Sequence, residues 1–105
     1  MNVISRKKLR EFCEARPERR RHWHAFENWY KLTRKAAWQN FQDCKATFGQ
    51  TDVAKGDRNK TATIFDIGGN KYRIIAAIDY LRQTVLIKAV LDHVEYDKKT
   101  WKELF

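Results

Sequence analysis

The stretch Phe65-Asp66-Ile67-Gly68-Gly69-Asn70-Lys71-Tyr72-Arg73-Ile74-Ile75-Ala76-Ala77-Ile78-Asp79-Tyr80 decides the architecture. Thr61–Ile67 alternates, and residues 71–80 are a β-branched run, so both read as strands. Gly68-Gly69-Asn70 between them are residue types that reach positive φ at little cost, which predicts a tight hairpin. Residues 84–91 repeat the β-branched pattern after Leu81-Arg82-Gln83, which predicts a second hairpin. The second half of the chain is therefore an antiparallel meander.

Working upstream, the period lengthens to that of helices. Residues 49–60 are polar, hold Gly56, Asp57 and Asn59, and read as a loop. Ala37, Phe41, Cys44 and Phe48 form one amphipathic stripe, ending before Gly49. Pro17 suits the first turn of a long helix running to Lys35. Its inward stripe is Trp23, Phe26, Tyr30 and Thr33, read as core rather than as a base-stacking platform. Ser5 is the expected N-cap of a first helix to about Ala15, with Leu9, Phe12 and Cys13 on one face. Asn2–Ile4 is a short edge strand, and residues 92–105 return to a helical or turn-rich tail. The fold class is α+β, with N-terminal helices packed on a small antiparallel sheet and a short C-terminal helix.

At 105 residues the chain is one domain, 1–105, without repeat or linker. Its apolar runs are too short to span a bilayer. Residues 1–5 hold no apolar leader core, so a cytoplasmic protein is expected. Cys13 and Cys44 fit no zinc spacing and read as reduced core thiols. His22 and His24, two apart, point to different sides of a helix, so no metal site is expected, and no cofactor.

The net charge is +9, and it is uneven. Residues 1–35 carry eleven Lys and Arg against four acids, whereas the remainder carries eleven against nine. Clustered cations gain affinity for a polyanion by releasing its counterions, so nucleic acid is the expected partner, ahead of an acidic protein or a membrane. The i,i+4 pairs Lys7–Glu11 and Arg10–Glu14 offset part of this field. Arg19, Arg20 and Arg21 have no such partner and are the expected RNA-binding residues, with Lys98 and Lys99.

A turn centred on Arg82 sets Lys71 opposite His93 and Arg73 opposite Leu91. Lys71, Arg73 and His93 are then expected at one sheet edge, with Tyr96 and Asp97 within a turn. An arginine flanking an apolar strand needs an acid, for which Asp66 is a candidate, or an anion. These residue types suit RNA cleavage by the adjacent 2′-OH. His93 serves as acid or base, Arg73 and Lys71 stabilise the phosphorane, and Tyr96 serves as base only if cations lower its pKa.

Several stretches resemble the HigB-type toxins of bacterial toxin–antitoxin pairs, within the RelE/ParE superfamily. They are residues 1–12, Trp29-Tyr30-Lys31, Trp38-Gln39-Asn40-Phe41, residues 65–76 and His93-Val94-Glu95-Tyr96-Asp97. The resemblance implies a RelE-like fold and a ribosome-dependent mRNA endonuclease that cuts mRNA in the 30S decoding site and so inhibits translation. It also implies a HigA-type helix-turn-helix antitoxin as partner, with DNA contacted only through that antitoxin. Arg73 matches the strand arginine set against the scissile phosphate in such toxins. Tyr96 lies where the catalytic tyrosine sits, and His93 stands where RelE members carry another basic residue. Gyrase poisons share the scaffold, so a non-catalytic basic module that poisons gyrase or binds RNA is the alternative.

Overall fold

The computed structural model describes residues 1–105. Its elements are β1 (Asn2–Ile4), α1 (Lys7–Glu14), α2 (Pro17–Arg20), α3 (Trp23–Lys35), α4 (Phe41–Thr47), β2 (Asp52–Lys55), β3 (Thr61–Ile67), β4 (Tyr72–Asp79), β5 (Thr84–Asp92) and α5 (His93–Asp97). A 3-10 helix, Thr100–Leu104, closes the chain. One sheet in the order β1-β5-β4-β3-β2 carries everything, so the class is the expected α+β.

The sheet is mixed, because β1 pairs parallel with β5 while the other three pairings are antiparallel. Residues 49–60 are not all loop: Asp52–Lys55 forms an edge strand against β3. Its pattern hides this, since Asp52, Val53 and Lys55 are all exposed and no apolar alternation survives. The expected 17–35 helix is two helices with a break at Arg21 and His22, where the His22 N–H bonds the Arg19 carbonyl three residues back. The break frees Arg19 to turn toward β5 while Phe26, Trp29 and Thr33 face the sheet. Ser5 does not cap α1; it adopts φ 76°, and α1 starts without a side-chain cap.

Alternation splits the apolar residues between two cores. On the helix side Leu9, Phe12, Phe26, Trp29, Phe65 and Ile74 belong to the larger one, which also takes both cysteines. Burial pushes the Cys44 thiol up to about 12, as expected for a core thiol. On the other side Ala62, Ile64 and Ile75 pack with Trp101 and Phe105 of the C-terminal segment.

The meander follows the sequence closely. Gly68, Gly69 and Asn70 take φ 66°, 63° and 74° in the β3–β4 turn. Between β4 and β5 two departures cancel. The turn is one residue longer than predicted, pairing Asp79 with Thr84, but a bulge at Lys88 restores the predicted register beyond it. Arg73 therefore does face Leu91, and Tyr72 faces Asp92. The bulge also inverts β5: Val85 and Ile87 point to the helices, whereas Ala89 and Leu91 join the second core. The strand's last residue, Asp92, is thereby returned to the helix side, where Arg19 meets it.

Candidate active site at the end of the β4–β5 hairpin

The chemistry-bearing residues gather where β4 begins and β5 ends. The His93 N–H donates to the Lys71 carbonyl at 3.1 Å, continuing the ladder one step beyond Tyr72 and Asp92. There α5 starts in a capping box: the Asp92 carboxylate accepts from the Glu95 N–H at 2.8 Å, and Glu95 Oε1 accepts from the Asp92 N–H at 3.3 Å. Such a box fixes the first turn and hence the placement of His93 and Tyr96.

Arg19 holds this box from the helical layer. Its guanidinium lies 3.8 Å from Asp92 and 3.6 Å from Glu95, donates to the Phe12 carbonyl at 3.3 Å, and stacks 3.8 Å over the Phe12 ring. Its side chain is 11% exposed. Arg19 is thus not unpaired as its sequence neighbours suggest: it forms a long-range ion pair across the fold. The Glu95 N–H, with Arg19 assisting, holds the Asp92 carboxyl below the usual carboxylate range. Arg20 donates to the Glu14 carbonyl at 3.3 Å, and Arg21, Lys98 and Lys99 are exposed.

Arg73 lies on the opposite sheet face. Its Nε sits 3.0 Å from Asp66 Oδ1, and Nη1 donates to the Asn70 and Tyr72 carbonyls. The acid pairing considered for Arg73 is therefore present, and it leaves Nη2 without a protein partner. The guanidinium carbon lies 5.1 Å from the Tyr96 ring centre. Trp101 stacks parallel to that ring, at 5.7 Å and 3°, and its indole N–H bonds the Tyr96 carbonyl at 3.2 Å. Burial raises the Tyr96 pKa above its ordinary value, Arg73 opposes this, and Asp52, Asp66 and Asp97 reinforce it. The lowered pKa that Tyr96 would need to act as a base is not found; the shift is upward.

Lys71 and His93 instead line a groove of about 430 Å³ on the helix side, together with Arg16. The four expected catalytic residues therefore share one end of the sheet but flank α5 from two sides. Three contributors went unrecognised in the sequence: Arg16, Trp101 and the capping-box pair. Only the last had a local signal, the Asp92-x-x-Glu95 spacing. His22, at the break before α3, packs edge-on against Tyr72 at 5.2 Å, and His24 is exposed on α3.

A family model described as HigB_toxin, RelE-like toxic component of a toxin–antitoxin system, matches residues 22–99. The chain belongs to this family. The HigB match takes in α3 to α5 and all four residues at the hairpin end. The chain is 28% identical over 100 residues to the mRNA interferase HigB of Escherichia coli O6:H1 (strain CFT073), covering 95% of this chain and 92% of that protein. It is 29% identical over 98 residues to the mRNA interferase toxin HigB of Escherichia coli K12 and to the mRNA interferase HigB of Shigella flexneri, covering 92% of this chain and 88% of each. As a HigB toxin it is one half of a pair whose other half is an antitoxin. No helix is long and apolar enough to cross a membrane.

Proposed function

We propose that this HigB toxin is an mRNA interferase that cleaves mRNA by attack of a 2′-OH on its adjacent phosphate. The observation that carries this is the Arg73 guanidinium 5.1 Å from the Tyr96 ring, with His93 one turn earlier on the same short helix, α5. His93 takes the 2′ proton, the 2′ oxygen bonds to phosphorus, and the bond to the 5′ oxygen breaks. Tyr96 donates the proton that this leaving oxygen needs, leaving a 2′,3′-cyclic phosphate. Arg73 faces the phosphorane with Nη2 and stabilises charge that grows in the transition state. Lys71 lies on the groove side, away from the Arg73 guanidinium, and adds positive charge along the bound strand rather than at the phosphorane.

The site is shallow and open, with exposed His93 and Lys71, and does not enclose an RNA strand. This favours a substrate presented by the ribosome in the 30S decoding site, with Arg20, Arg21, Lys98 and Lys99 contacting ribosomal RNA by charge. The antitoxin is then of the HigA helix-turn-helix kind, DNA is reached only through it, and the site of action is the cytoplasm.

The test is induced expression with mapping of mRNA 5′ ends, alongside cleavage on programmed ribosomes. Wild-type protein should arrest growth and generate new 5′ ends within coding regions. Arg73→Ala and Tyr96→Phe should lose about 10²-fold or more in cleavage while folding normally. Full cleavage by both variants would overturn the assignment of residues. DNA breaks without new mRNA ends would overturn the function in favour of gyrase poisoning.

A further inference from the structure

The groove on the helix side of α5 has a chemistry of its own. The Tyr72–Asp92 pair faces the helices and the Arg73–Leu91 pair faces the second core, so the strand itself separates the Arg73 guanidinium from Lys71 in the groove. One phosphate cannot be held from both sides. We infer that the groove is a second subsite, binding the phosphate of RNA next to the one that reacts, with Arg16 and Lys71 as its ligands and His93 at the boundary. This deepens the cleavage reading and rests on it.

Two features support the subsite. Arg16, Lys71 and His93 are exposed, and none is engaged in a salt bridge within the protein. The groove's inner carboxylate, Asp92, shares Arg19 with Glu95 at 3.8 and 3.6 Å, which weakens its repulsion of an incoming anion. Glu18 is the acid left in the groove without a cationic partner, and it acts against the ligand. An RNA strand crossing α5 therefore presents one phosphate to Arg73 and the next to Arg16 and Lys71.

The experiment measures binding of the full chain to a fluorescent 2′-O-methyl RNA 12-mer, which cannot undergo 2′-OH attack, across a salt series. Arg16→Ala should weaken binding several-fold and lower the slope of log K against log salt by about 0.7, the value for one lost single-strand phosphate contact. Arg16→Lys should restore the slope, because the contact requires charge. Glu18→Gln should tighten binding a few-fold by removing the opposing charge. On programmed ribosomes Arg16→Ala should raise KM more than it lowers kcat. The subsite is refuted by an Arg16→Ala protein with wild-type slope and affinity, by a Glu18→Gln protein no tighter than wild type, or by a wild-type chain with no salt-dependent binding. Binding to this uncleavable RNA is read separately from cleavage, so failure of the cleavage mechanism leaves a distinguishable result.

Discussion

Tyr96 shows how far a residue's role depends on what folds around it. Its sequence neighbours Asp97, Lys98 and Lys99 suggest a cationic setting that would favour ionisation. In the fold, burial dominates, and the acids that push its pKa up further include Asp52 from β2 and Asp66 from β3. A tyrosine with a raised pKa keeps its proton through neutral and mildly alkaline pH. Cleavage that uses it as donor should therefore hold level and then fall as pH rises above its ordinary value of about 10. Tyr96→Phe should be about 10²-fold slower and lack that alkaline fall, as pH–rate profiles of cleavage would show. A wild-type rate that climbed toward pH 10 would instead make Tyr96 the base. Arg73 was legible as an arginine needing an acid or an anion, and the structure shows how both needs fit one guanidinium. Nε serves Asp66, Nη1 serves two carbonyls, and Nη2 remains for a phosphate.

Among the elements, α5 has only five residues, too few to be stable as an isolated helix, and it persists through its capping box and Arg19. Asp92 has a folded pKa below its unfolded one, so its charge stabilises above the unfolded value of about 3.9 and that contribution disappears as pH falls through the folded value. Asp92→Asn keeps a capping acceptor and removes the charge. It should cost roughly 0.5–1 kcal/mol at pH 7, and thermal melts should converge with wild type as pH drops below about 4. The strands β3, β4 and β5 were legible because their alternation and their glycine turn are local signals. The meeting of Lys71 with His93 was legible too, although by compensation: the longer turn and the Lys88 bulge each shift the register by one residue. Neither has a distinctive sequence mark. Strand β2 was invisible because an edge strand with exposed polar residues buries almost nothing by which to be recognised. The break between α2 and α3 was hidden for a different reason. It sits beside an arginine, Arg19, whose partners Asp92 and Glu95 lie more than seventy residues away in the chain.

The whole molecule is a sheet between two unequal cores, a large one under the helices and a small one under the last six residues. Gly56 permits that small closure: a Cβ there would lie 2.8 Å from the Lys102 carbonyl and collide with Phe105. Gly56→Ala should therefore lift the C-terminal segment, loosen Trp101 from Tyr96 and reduce cleavage at least tenfold, while the helical circular dichroism is largely kept. The +9 charge also divides between the two sides, because most of the N-terminal cations ride on α1 to α3 over the large core. Binding charge and reaction chemistry thus rest on parts of unequal strength. Hydrogen exchange should show the amides of residues 100–105 opening well before those of β4, with inactivation by mild denaturant preceding the main unfolding transition. The indole stacked on Tyr96 then acts as a fuse: when it lets go, the chain becomes a silent but still folded protein, with its helices intact and its reactive edge slack.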